Sequence, residues 1–202
     1  TDDEGNYIIK DDGTRAVSET TKNLGKVAPD WTMGISNTLR YRNLSLSFLI
    51  DVRYGGVMYS GTVSDLRVNG MAEETIGKNR TDIVDKGVKQ DGTENTTAIT
   101  PYQFWSNNYS SKVSEANVFD ATFVKLREMV LSYQMPQRWF KNCFIGSLAL
   151  GVEGRNLWLM KSNVPHIDPE TNIFGPSAVG SGVEYSAIPT TRSWGFNIKL
   201  TF

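Results

Sequence analysis

A chain of 202 residues has room for one large domain or two small ones, and its 39% hydrophobic and 11% aromatic content excludes compositional disorder. With 21 Lys and Arg against 22 Asp and Glu, the net charge of -1 gives no general electrostatic footprint for nucleic acid. The single cysteine, Cys143, and single histidine, His166, exclude an internal disulfide, a multi-cysteine zinc site and His-based metal or His-pair chemistry. No stretch approaches the roughly 20 apolar residues of a transmembrane helix. Barrel strands alternate in polarity and keep average hydropathy low, so a membrane remains compatible. The chain begins at Thr1 with neither a methionine nor a signal segment, as expected of a processed protein or a fragment.

In chain order, the first strong signal lies at about 29–42. Trp31, Met33, Ile35, Leu39 and Tyr41 alternate with Thr32, Gly34, Ser36, Thr38 and Arg40, broken only at Asn37. After a tight Arg42-Asn43 turn, a second run at about 44–55 sets Leu44, Leu46, Phe48, Ile50, Val52 and Tyr54 against Ser45, Ser47, Leu49, Asp51 and Arg53. Period two with a short connection predicts a hairpin of two-faced strands. A third strand is expected at about 122–135, but apolar residues occupy both parities, so it is not cleanly two-faced. Pro136 ends it. A fourth, at about 144–160, sets Leu148, Leu150 and Val152 against Ala149, Gly151, Glu153 and Arg155. A fifth, at about 192–202, alternates Trp194, Phe196, Ile198, Leu200 and Phe202 with small or polar residues over ten positions. Ten residues match a tilted membrane-spanning strand.

The connections alternate short and long. The turns at 42–43 and 136–142 are short, whereas 55–121 and 161–191 are long. Such loops are unusual in compact soluble domains and expected on the outer side of membrane barrels. The loop rule then places Phe202 on the periplasmic side. Trp31, Tyr41, Tyr54, Phe123, Tyr133, Trp158, Trp194 and Phe202 fall near strand ends, as in an aromatic girdle; ordinary strand enrichment in aromatics is the plainer alternative.

Several segments resemble one family. Ala28-Pro29-Asp30-Trp31-Thr32-Met33-Gly34, followed by Leu44-Ser45-Leu46-Ser47-Phe48-Leu49-Ile50-Asp51-Val52-Arg53-Tyr54-Gly55-Gly56, is similar to a hairpin of the SusC/RagA-type TonB-dependent transporters. Phe123-Val124-Lys125-Leu126-Arg127-Glu128, Gly154-Arg155-Asn156-Leu157-Trp158, Val164-Pro165-His166-Ile167-Asp168-Pro169-Glu170 and the final run from Pro189 to Phe202 resemble further segments of it, in order. The stretch from about Val57 to Asp120 carries no match.

The resemblance implies an all-β fold, an antiparallel transmembrane barrel segment making up about the last five strands of a barrel of about 22 strands. It also implies an N-terminal plug, energy from a TonB complex, a SusD-like surface lipoprotein as partner, and import of oligosaccharides or peptides across the outer membrane of Bacteroidetes. No cofactor, metal or nucleic acid is implied.

In that frame Asp51, Arg53, Glu153 and Arg155, with Asn197 and Lys199, face the lumen, or are solvated wall residues without a specific role. Arg155 stands out because a buried guanidinium wants a carboxylate. In the first long loop Tyr102, Trp105 and Tyr109, with Phe104, either stack on sugar rings as substrate-binding residues or pack the loop onto its neighbours. Asp168 and Glu170 near His166 suggest a metal site only weakly, and Asp11-Asp12-Gly13 and Asp91-Gly92-Thr93 read as turns because the remaining calcium ligands are missing. Five strands cannot close a lumen and would expose two edges, so no stable water-soluble monomer is expected. A soluble all-β carbohydrate-binding module is the alternative reading. An enzyme ranks third, since no nucleophile–base motif is present.

Overall fold

The computed structural model describes all residues except 3, 79, 142–143 and 174–180. Its framework is a five-stranded antiparallel sheet made of β1 (Trp31–Tyr41), β2 (Leu44–Tyr54), β3 (Phe123–Gln134), β4 (Ser147–Ser162) and β5 (Ser193–Thr201). The spatial order is β5-β4-β3-β2-β1, so β1 and β5 are the edges. The β1–β2 hairpin pairs Tyr41 with Leu44, and Arg42 takes a left-handed φ of 52° in the two-residue turn. Asn43 ties that turn to β3: its amide donates to the Gln134 carbonyl at 2.6 Å.

The register gathers the apolar residues on one face. Tyr41, Leu44, Tyr133, Leu150 and Ile198 lie across the five strands in one row, and Leu39, Leu46, Leu131, Val152 and Phe196 in the next. These side chains are exposed or half-buried, with Phe196 85% and Ile198 66% accessible. A water-soluble protein does not normally leave so large an apolar surface uncovered.

The mixed parity of β3 has a local cause. Leu49 of β2 pairs with Glu128 and Ile50 with Leu126, so Arg127 is an extra residue and β3 bulges there. Val124 and Leu126 therefore share the apolar face with Met129, Leu131 and Tyr133 despite their opposite parity. On the β4 side the register also shifts between Arg155 and Trp158, where Asn156 takes a φ of 51°. A bulge redirects one side chain and restores the face beyond it.

The long 55–121 stretch is not a structureless loop. It holds the strand Val57–Ser60, helix α1 (Gly61–Val68), three two-residue strands, helix α2 (Pro101–Tyr109) and the strand Val118–Asp120. The chain leaves β2 through Gly55 and Gly56, both at positive φ, and a Cβ on Gly56 would stand 2.7 Å from the Val27 carbonyl oxygen. Val57–Ser60 pairs with Val118–Asp120 and, in parallel, with Val183–Glu184. Met58, Ala121 and Val164 form a buried cluster with Phe119 and Ile167 against it.

Each helix is capped. The Ser60 hydroxyl accepts from the Val63 N–H and donates to the buried Glu184, which also takes the Thr62 hydroxyl and the Ala187 N–H. A carboxylate at a helix N-terminus is favoured by the helix dipole. Thr100 and Gln103 form a capping box on α2, with Pro101 at its first position. At its start the chain joins this unit too: Ile8–Ile9 runs parallel to Val88–Lys89, and Arg15 grips Asp85 through two hydrogen bonds of 2.6 and 2.8 Å.

Candidate functional site

The polar face of the sheet carries two cations in the first half of β3, where burial is costly unless they are paired. Lys125 is buried; its ammonium donates to Asp168 at 3.2 Å, Glu170 at 2.5 Å and Thr190 at 3.2 Å. Arg127, aimed to the same face by the bulge, holds Glu170 through two hydrogen bonds of 2.8 and 2.6 Å. It also donates to Asp51 of β2 and, at 3.0 Å, to the Asn156 side chain. Asn156 in turn donates to the Thr191 carbonyl at 3.0 Å. Two points of the second long loop, 168–170 and 190–191, are thereby fastened onto the polar face.

Burial pushes the Asp168 and Glu170 carboxyls up. For Asp168, hydrogen bonds from the Thr190 hydroxyl and the Glu170 N–H, with Lys125, outweigh that; for Glu170, those from Arg127 and Lys125 do. Both settle below their ordinary values. The planar Arg–carboxylate fork sets geometry as well as energy. Removing one member leaves buried charge uncompensated, the costly way to break such a cluster.

The lumen candidates separate. Asp51, Arg53, Glu153 and Arg155 do share the polar face with Lys125, as the strand register requires, and so do Asn197 and Lys199. Asp51 belongs to the ion network. Arg53 donates to the Val27 carbonyl at 2.9 Å instead of meeting a carboxylate. Arg155 is not buried: it is 60% exposed and stands 3.5 Å from Glu128. Lys125 and Arg127 escaped the sequence reading, although two cations within an apolar strand are themselves a signal that carboxylates must come to them.

Asp168 and Glu170 are committed to those cations, and His166 turns elsewhere, its Nε2 standing 2.6 Å from Glu74. No metal-type cluster of His, Cys, Asp and Glu occurs among the described residues. Asp12 and Asp91 make turns, each accepting from the N–H and hydroxyl of a threonine two residues on.

The aromatic candidates divide between packing and exposure. Trp105 is 4% exposed and packs against Phe104 and Tyr109, with ring centroids 5.1 and 4.9 Å apart. The Arg67 guanidinium lies 5.2 Å from the Tyr109 ring centroid. Trp105 thus offers no face for stacking; it is the packing centre of the loop unit. Tyr102 is 68% exposed and takes no part in that ring cluster. A cleft of about 650 Å³ opens beside these rings, lined by Arg67, Glu73, Glu74, Lys78, Trp105, Tyr109, Pro165 and His166. Arg67 spans it, donating to Glu74 at 2.5 Å and to the Ala116 carbonyl at 2.9 Å. Burial raises the Glu74 carboxyl, but hydrogen bonds from Arg67, its own backbone and His166 bring it down to about 2.

No family model matches the chain. Two curated relatives from Formosa agariphila do: TonB-dependent receptor P3 is 25% identical over 99% of this chain, and TonB-dependent receptor P26 is 26% identical over 89% of it. The chain spans 19% and 18% of their lengths, about a fifth. The fold matches the RagAB peptide importer in its open-open state with a TM-score of 0.63 at 20% identity, covering 97% of this chain and 20% of that one. The closed-closed state of the same importer gives 0.61 at 19% identity, covering 97% and 21%. The two-faced sheet, the matching relatives and the ordered sequence segments converge. Over nearly its whole length the chain is similar to TonB-dependent receptors, and it shares its fold with about a fifth of the RagAB peptide importer.

Proposed function

We propose that this segment supplies about the last five strands of a closed barrel of about 22 strands, with the loops 55–121 and 161–191 on the outer side. The complete protein then imports oligosaccharides or peptides, driven through TonB by an N-terminal plug and covered by a SusD-like lipoprotein. Transport, not catalysis, is the activity. The observation that carries this reading is the pair of opposed sheet faces: one largely apolar and exposed, the other polar with a loop fastened to it by Lys125 and Arg127. Backbone groups in lipid must all be satisfied, so an apolar-faced sheet can span only when its edges β1 and β5 are paired within a barrel. A peptide importer among the fold matches and two TonB-dependent receptors among the relatives support the same activity. A soluble carbohydrate-binding module accounts for neither the apolar face nor the edges.

The test is fractionation and uptake. The native species carrying this segment should appear in the outer membrane at several times 22.5 kDa, and its nutrient uptake should stop when TonB is removed. A soluble species near 22.5 kDa would overturn the proposal.

A further inference from the structure

The short-turn end of the sheet is charged unlike the rest of the chain. The register brings residues 36–48, 129–152 and 196–202 together there. They hold five of the chain's 21 Lys and Arg, namely Arg40, Arg42, Arg138, Lys141 and Lys199, and none of its 22 Asp and Glu. All five are exposed, and none makes an ion pair among the described residues. Even a main-chain carboxylate at Phe202 would leave this end positive. Like charges gathered in this way repel one another, which a bound anion relieves. Aromatic rings stand among them. The Arg42 guanidinium lies 5.3 Å from the centroid of the Tyr41 ring, which belongs to the apolar face. Asn43 bonds that turn to the end of β3, and the Gly146 N–H donates to the Thr201 carbonyl at 2.7 Å, so the β3–β4 connection is held between the hairpin turn and the end of β5. There Arg138, Lys141, Phe140, Phe144 and Phe202 line a pocket of about 360 Å³. The Phe144 and Phe202 rings stack at 5.7 Å, just beyond Leu148 and Leu200, the last apolar pair of β4 and β5. Trp139, between the two cations in sequence, is exposed.

Resting on the barrel reading above, which sets this end at the periplasmic boundary of the lipid, we propose that it binds the phosphate of an anionic glycerophospholipid. Arg138 and Lys141 take the phosphate at the pocket, and Arg42 adds a third positive charge from the adjacent turn. Arg40 and Lys199, on the polar face, strengthen the field. The acyl chains run from Phe144 and Phe202 along the apolar rows of β4 and β5. Clustered Lys and Arg beside a lipid-facing surface favour anionic headgroups. Guanidinium forks match phosphate oxygens, and aromatic side chains settle at headgroup level. Free phosphate would use only the cations; a lipid engages the cations, the stacked rings and the apolar rows together.

The test uses the complete transporter in detergent, with binding of dioleoyl phosphatidylglycerol and dioleoyl phosphatidylcholine read by native mass spectrometry. Phosphatidylglycerol should bind about tenfold more tightly or better, and an excess of inorganic phosphate should leave it bound. A combined Arg42→Gln, Arg138→Gln, Lys141→Gln variant should lose the preference. All three side chains are exposed in turns, so this variant should assemble in the outer membrane as the unaltered protein does. An Arg42→Lys, Arg138→Lys variant, which keeps the charge, should keep the preference. Equal affinity for the two lipids, a preference that survives neutralisation, or displacement of the lipid by inorganic phosphate would each overturn the assignment. Fractionation keeps this apart from the barrel reading: a transporter inserted in the outer membrane without the preference removes only the lipid site, whereas a species absent from that membrane removes the barrel reading and the site with it.

Discussion

The sheet and the outer unit solve opposite solvation problems with one composition. In β1 to β5 the large apolar side chains point outward in rows, and the polar face is where the tightest contacts lie. In residues 55–121 the order is the usual one, with Met58, Val63, Ile99 and Trp105 inside and charged groups around them. The difference teaches that burial alone does not identify what stabilises a sheet with an exposed apolar face. The sheet is held by its ladders and by the ion network on its polar face, and the outer unit by packing and capped helices.

Replacing Lys125 with Met tests the junction of the two regions and should have the largest effect. The half-buried Asp168 would then lose its cation, at a cost of about 3 kcal/mol, the lower end for breaking a buried pair because Asp168 is partly exposed and Arg127 still holds Glu170. Thermolysin should cut the 161–191 loop of the assembled transporter faster, while the barrel stays intact. Val152→Arg probes the sheet alone. Between Leu131 and Phe196 on the apolar face, it should cost roughly 2–4 kcal/mol if that face meets lipid near the midplane, read from unfolding in bilayers. The same change in a solvated sheet would cost almost nothing.

Acid sharpens the contrast from the outer side. Glu74 is held at about 2 in the folded chain against an ordinary value of 4.5, so its contribution is present above 4.5 and is lost as pH falls towards 2. Pepsin cleavage around Pro165–His166 should therefore rise across that interval, and Glu74→Gln should flatten the rise. Arg155→Ala should do least: its partner Glu128 is 3.5 Å away and both are well exposed, so a change within about 0.5 kcal/mol is expected in the same bilayer assay.

The strands of the sheet were legible because period two over about ten residues leaves few alternatives, and the register then set the faces. What escaped had physical causes. Arg127 sits in a bulge, and one extra residue inverts every parity argument beyond it. The outer unit is built from two- to four-residue strands and two short helices, too brief for any period to register, and is closed by side chains such as Asn117, whose amide donates to the Tyr109 carbonyl at 2.8 Å. Asp168 and Glu170 drew notice through the neighbouring His166, yet their partners lie 43 and more residues earlier. A site assembled across that distance leaves only its unbalanced charges in each local segment.

The most direct test of the central claim places single cysteines along β5 of the complete transporter, in a Cys143→Ser background, in native outer membranes. If the apolar face meets lipid, labels at Phe196, Ile198 and Leu200 will be quenched by a lipid-dissolved quencher, and labels at Asn197 and Lys199 by a water-soluble one. Uniform quenching from water along the strand would contradict the account.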